Sequence, residues 1–227
     1  MPNWCTSNYV LEGPKEDLMR FSDTVNACLS KPDVKPNGFG KLWLGNIYVA
    51  FGGDAENVLT ADGLRGCIET DPEAIPCLCG PSSEEEPVSP ALEEDGKTRL
   101  RFSVTTAWGP SAWLDDMLEE QFPRIRFGWK ATDEFGNFHY VRNMSLMGIE
   151  PYEVESCKNG ECLTETFGYG EEEAMADYLK KETGMPFNRE EIVNQTDDFY
   201  VKLYEFNQKH EELEDEEYIY VRVWKED

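Results

Sequence analysis

Seven cysteines stand at positions 5, 28, 67, 77, 79, 157 and 162. Cys77, Cys79, Cys157 and Cys162 together have the composition of a structural zinc centre, in which four thiolates hold the ion tetrahedrally. Their spacing opposes that use. One residue between the first two and four between the last two match no common zinc module, and no metal centre is expected. Cys157 and Cys162 have another geometry open to them. Residues 152–157 and 162–167 flank Lys158-Asn159-Gly160-Glu161, and Asn-Gly is the preferred centre of a two-residue hairpin turn. That turn sets the two cysteines opposite each other at a non-hydrogen-bonded position. Oxidation can close a disulfide there, whereas a reducing compartment keeps two thiols, and the thiols are the expectation for this chain.

Nucleophilic catalysis needs a base beside the nucleophile. Two histidines are available, His139 on a predicted strand and His210 near a helix end followed by acids, and neither sits in a motif. Gly38-Phe39-Gly40, Gly52-Gly53 and Gly168-Tyr169-Gly170 lack the lysine and following helix of a phosphate loop and read as turns. Neither a cofactor nor an enzymatic activity is expected from these residues.

Cations stand out more. Arg99 and Arg101 alternate with Leu100, Phe102 and Val104, and Arg124, Arg126 and Lys130 alternate with Ile125, Phe127 and Trp129. Period two puts each strand's cations on one face. With one strand between the two, Arg101 and Arg126 fall roughly 10 Å apart. Arg99, Arg101, Arg124, Arg126 and Lys130 then form a basic sheet face suited to an anionic ligand, a single-stranded nucleic acid or an acidic peptide. Against this, Phe102, Phe127 and Trp129 point to the buried side, away from any bases to be stacked. Glu153, Glu155 and Glu165 further along the chain can also cover and neutralise the arginines. A protein partner is therefore expected ahead of a nucleic acid.

The elements that position these residues are legible in outline. Residues 4–12 read as a strand, and Pro14 opens a helix whose stripe is Leu18, Phe21, Val25 and Cys28. Residues 42–51 and 64–70 read as strands, and 71–96, rich in Pro, Ser and acids, reads as a mobile loop. Residues 98–106 alternate cleanly. Ser111 caps a helix with the stripe Leu114, Met117, Leu118, Gln121 and Phe122, and Asp115 and Asp116 suit the positive end of its dipole. Strands follow at 124–132 and 138–147. Beyond Gly148 come the hairpin, a helix from Glu171 to Lys181 ending at Gly184, a further helix capped by Asn188, and a last strand from Tyr218 to Trp224.

The order β-α-β-β-α-β over 4–132 is that of a ferredoxin-like split arrangement, an α+β fold with two helices on one face of an antiparallel sheet. The expected organisation is such a domain over 1–147, with loop insertions at 31–62 and 71–96. Residues 148–227 would form a C-terminal hairpin, helix and strand extension, packed on that sheet or extending it.

With 227 residues, 40% of them hydrophobic, the chain can bury a core without disulfides. Acids outnumber bases 46 to 21, for a net charge of −25. Such a field disfavours salt-driven association with DNA or an anionic membrane. It fits solubility, a basic partner, or mimicry of DNA's charge toward one. No apolar run reaches membrane-spanning length, and the first residues lack the basic head and apolar stretch of a secretory signal, so a cytoplasmic protein is expected.

Several motifs carry a family likeness. Met1-Pro2-Asn3-Trp4-Cys5, Gly13-Pro14, the segment Phe102-Ser103-Val104-Thr105-Thr106-Ala107-Trp108-Gly109-Pro110, Phe122-Pro123 and Glu134-Phe135-Gly136 resemble the YubB-like family. The resemblance covers about residues 1–147. It implies a ferredoxin-like domain in a protein of phage or plasmid origin, and it assigns no catalytic residue. Trp108 in this motif is expected to cover the end of the core, with Pro110 fixing the turn into the helix.

Overall fold

The computed structural model describes residues 3–60, 63–69, 87–134, 139–212 and 217–226. Its fold is α+β, with seven α-helices and two sheets among these residues. Two compact units form, Met1–Met147 with Glu226–Asp227 and Gly148–Lys225.

The first unit begins with β1 (Trp4–Glu12), α1 (Lys15–Asn26), α2 (Leu44–Ala50), β2 (Gly66–Glu69) and β3 (Ala91–Leu92). It continues with β4 (Thr98–Ala107), α3 (Ala112–Gln121), β5 (Arg126–Asp133), β6 (His139–Arg142) and α4 (Met144–Met147). The sheet runs β6-β5-β1-β4-β2, and β3 pairs with β4. β1 is antiparallel to both β4 and β5, with Glu12 opposite Arg99 on one side and Arg126 on the other. Period two then decides the faces. Tyr9, Leu11, Leu100, Phe102, Val104, Phe127 and Trp129 enter one core with Leu18, Phe21 and Val25 of α1 and Leu114, Met117 and Leu118 of α3. Each large apolar side chain buried in this way contributes about 1.5–3 kcal/mol. Tyr9 stacks on Phe102 with centroids 5.3 Å apart, and Phe102 on Phe21 at 5.6 Å.

Three segments depart from expectation. Residues 42–51 are not a strand: Trp43 makes a single bridge to Cys67 and the chain turns directly into α2. The spacing of Leu44, Ile47 and Phe51 follows helical period, which wins over the weak alternation. The strand expected over 138–147 stops at Arg142, because Asn143 takes a left-handed φ of 61° and its Oδ1 accepts from Leu146 N–H at 3.2 Å, starting α4. The loop expected over 71–96 is ordered in its last part. Asn26 clamps Val88 through both its backbone N–H (3.0 Å) and its C=O (2.8 Å), and β3 then pairs with β4. Residues 71–86 lie outside the described residues.

The second unit contains β7 (Tyr152–Lys158), β8 (Glu161–Phe167), α5 (Glu172–Thr183), α6 (Arg189–Asn194), α7 (Asp197–Glu212) and β9 (Tyr218–Val223). Its sheet order is β8-β7-β9. Asn159 (φ 53°) and Gly160 (φ 78°) form the turn between β7 and β8 that the Asn-Gly pair requires. Gly184 (φ 74°) ends α5, and Asn188 with Glu191 forms a reciprocal capping box on α6. Val154 and Ile219 pack with Met175, Leu179, Ile192 and Phe199 in a separate core.

Candidate functional site

The basic sheet face is the natural place to look for a ligand, and the structure fills it with the unit's own acids. Glu12, the last residue of β1, lies between Arg99 and Arg126 of the two neighbouring strands. Its carboxylate accepts Arg99 Nε (3.1 Å) and NH2 (2.8 Å), Arg126 NH1 (3.3 Å) and Lys97 Nζ (3.1 Å). The tight turn from Glu93 to Lys97 adds two more acids. Glu93 pairs with both Arg99 and Arg101, the latter at 2.8 Å, and Asp95 accepts Arg99 NH2 at 2.8 Å. Burial pushes the Glu12 carboxyl up, but the bonds from Lys97 and Arg99 outweigh it and leave it below the ordinary value. Glu93 is lowered chiefly by Arg101, and Asp95 chiefly by the Lys97 N–H. The hydrogen bonds that Arg99 donates to Glu93 and Asp95 raise its guanidinium in turn.

Two sequence expectations are corrected here. Arg124 does not belong to the face: it precedes β5 and reaches to α1, pairing with Asp17 at 2.8 Å and Glu16 at 3.3 Å. Among the described residues, the acids paired with Arg99, Arg101 and Arg126 are Glu12, Glu93 and Asp95. Glu153 and Glu155 instead pair with Arg222 within the second unit. Lys130 is exposed, opposite Asn8 on β1. α4 occupies part of the same face: a Cβ on Gly128 would lie 2.6 Å from Arg142 O and 3.3 Å from Met147 Cγ.

On the helix side the sequence hides a buried polar centre. Asp115, read as a dipole partner at the start of α3, is 7% exposed. Its carboxylate accepts the Tyr9 hydroxyl at 2.9 Å, Trp129 Nε1–H at 2.9 Å and Arg142 NH1 at 3.0 Å. Burial raises the Asp115 carboxyl despite these three donors, and it raises the Tyr9 phenol as well. Through these three bonds the centre ties α3 to β1, β5 and β6. Gln121, expected in the buried stripe of α3, is exposed and donates to Phe51 O.

Cys157 and Cys162 face each other in register and are joined as a disulfide, where the sequence reading expects thiols. Cys5, Cys28 and Cys67 are buried, and burial pushes the Cys5 thiol up to about 11, which suppresses its thiolate. Cys77 and Cys79 lie outside the described residues. His139 is on β6, and His210 in the last turn of α7 lies 3.7 Å from Glu217.

Trp108 reverses its expected role. It is 66% exposed, and its φ is 79°. Its backbone N–H donates to Asn3 O at 2.7 Å, and Thr106 Oγ1 holds Gly109 O, so the turn is fixed while the indole stands in solvent. Composition gave no hint of this, because Trp-Gly-Pro after a strand reads equally well as a lid.

No helix among the described residues is long and apolar enough to cross a membrane. A scan against protein-family models, a search of curated proteins and a search of solved structures return no match.

Proposed function

We propose that this chain is a non-enzymatic interaction protein that docks a basic protein partner, with the loop carrying Trp108 as its contact point. The observation that carries this reading is Trp108 itself. A left-handed φ at a non-glycine residue costs on the order of 1–3 kcal/mol, and the exposed indole gains no burial from it within the chain. The turn that carries it is held by hydrogen bonds to its backbone, and tryptophan is among the residues enriched in interface hot spots. The net charge of −25 supplies the preference for a basic surface. Direct nucleic-acid binding through the sheet face is the weaker reading, because Arg99, Arg101 and Arg126 already hold carboxylates; mimicry of DNA toward a basic protein remains compatible with the docking reading.

The scaffold we propose is ferredoxin-like. The strand order β5-β1-β4-β2, antiparallel at each step, with α1 and α3 sharing one core, supports it. A YubB-like affiliation, with origin on a phage or plasmid, is proposed on the motifs quoted above, and with it a cytoplasmic location.

The test is affinity capture from a host extract with the full chain and with Trp108→Gly. Glycine relieves the backbone while removing the indole. Loss of a salt-sensitive basic partner at an unchanged or higher melting temperature supports the proposal. Identical capture by both proteins refutes it.

A further inference from the structure

The disulfide corner of the second unit carries more than a cross-link. Glu155 and Cys157 are two apart on β7 and so share a face, and the register places Cys162 on β8 and Tyr218 on β9 on either side of Cys157. That face is opposite Val154 and Ile219, which enter the helical core. One ligating atom each from Glu155, Cys157 and Cys162 lie within 4.8 Å of one another. Glu155 Oε1 stands 4.0 Å from Cys157 Sγ, and the Tyr218 hydroxyl donates to it at 3.1 Å while lying 3.7 Å from Cys162 Sγ. Arg222 NH2 holds the other carboxylate oxygen at 3.3 Å. The carboxylate is thus oriented toward the sulfurs by two outer partners, as metal-bound carboxylates are.

We infer that reduction of Cys157–Cys162 turns this corner into a site for a zinc-type divalent cation, with two thiolates and Glu155 as ligands and water in the fourth position. In the oxidised form the sulfurs bond each other and the site is closed. A small dithiol supplies the opening step: it gives two electrons and two protons to the S–S bond, leaving two protein thiols and becoming a disulfide itself. Cation binding then displaces both thiol protons to solvent. Zn–S bonds of about 2.3 Å set tetrahedral thiolates roughly 3.8 Å apart. Facing strands whose cysteine Cα atoms are 4.1 Å apart reach that separation by side-chain rotation alone. Cys162 is exposed and gives the ion its way in, while Cys157 is buried and fixes the inner ligand. The two thiolates and the carboxylate match the donor set that prefers zinc over magnesium or calcium.

Cobalt(II) titration of the full chain reads the site directly, because thiolate-to-cobalt charge transfer and the visible bands of tetrahedral cobalt report sulfur ligation. Protein reduced with a phosphine, and then freed of it, should develop both and lose them when zinc is added; oxidised protein should show neither. Cys162→Ser, a change at an exposed position, should abolish the thiolate signal of the pair. Cys77→Ser with Cys79→Ser should leave it intact. Glu155→Gln should weaken the metal by at least the roughly 10–100-fold that loss of a ligand's outer hydrogen-bond partner costs. Absence of the signal in reduced protein overturns the inference, as does its survival in Cys162→Ser or its loss in the Cys77/Cys79 variant. Unchanged affinity in Glu155→Gln overturns the carboxylate's place in it.

Discussion

Glu12 faces Arg99 across the β1–β4 ladder, and its carboxylate accepts two nitrogens of that guanidinium while also receiving Arg126 from the other neighbouring strand. One acid therefore stands between the two strands that supply the cations. Arg99 is only 12% exposed in its side chain, whereas Arg101 is 58% exposed, so the two arginines should differ in weight. Arg99→Ala is expected to lower the melting temperature by roughly 2–4 °C, and Arg101→Ala to leave it within about 1 °C, since exposed pairs contribute little. Differential scanning calorimetry of the two variants compares them directly.

Acid should loosen the same cluster. Glu12, Glu93 and Asp95 all titrate below their ordinary values of 4.5, 4.5 and 3.8 in the folded chain. The unfolded chain takes up these protons first, so the stabilisation is complete above those ordinary values and is lost as pH falls through the lowered ones. Melting curves from pH 6 down to pH 2 should show this decline, and Glu12→Gln with Glu93→Gln should flatten it. An unaltered acid limb in that variant would place the titrating groups elsewhere.

Asp115 is predicted to be the costliest polar residue to remove. Truncation to alanine strands the Tyr9 hydroxyl, the Trp129 N–H and the Arg142 guanidinium together, for a loss of about 3–5 kcal/mol. Asp115→Asn keeps an acceptor and should lose less. Urea unfolding of both variants measures the order, and an alanine variant as stable as the asparagine one contradicts the network.

Gly128 tests the packing of α4 on the sheet. Alanine there meets the Arg142 carbonyl at 2.6 Å and Asn143 Cβ at 3.2 Å, so either β6 shifts or α4 lifts. Overpacking of this kind costs about 1–3 kcal/mol, visible as a lower urea midpoint with an unchanged slope.

The sequence made much of this architecture readable, and the reasons are local. Leu100, Phe102 and Val104 alternate with polar residues over a long strand, so their burial followed from period alone. Asn159-Gly160 and Gly184 each satisfy a left-handed backbone requirement that few other residues meet. What stayed hidden depends on distant partners. Glu12 ends its strand as an ordinary polar residue, and only the register of three strands shows that it meets Arg99 and Arg126. Asp115 suits a helix N-terminus, and its burial comes from Tyr9, 106 residues earlier. Arg124 keeps the alternation of β5 in sequence, yet the carboxylates of α1 take it from the face.

Fluorescence anisotropy of a labelled single-stranded oligonucleotide, titrated with the full chain at low ionic strength, puts the neutralised face to its most direct trial. The ion pairs of Glu12, Glu93 and Asp95 predict no rise in anisotropy, and no difference between the native chain and Arg101→Glu with Arg126→Glu. Binding by the native chain that disappears in this double variant would show the arginines free to hold phosphate, and would contradict the account.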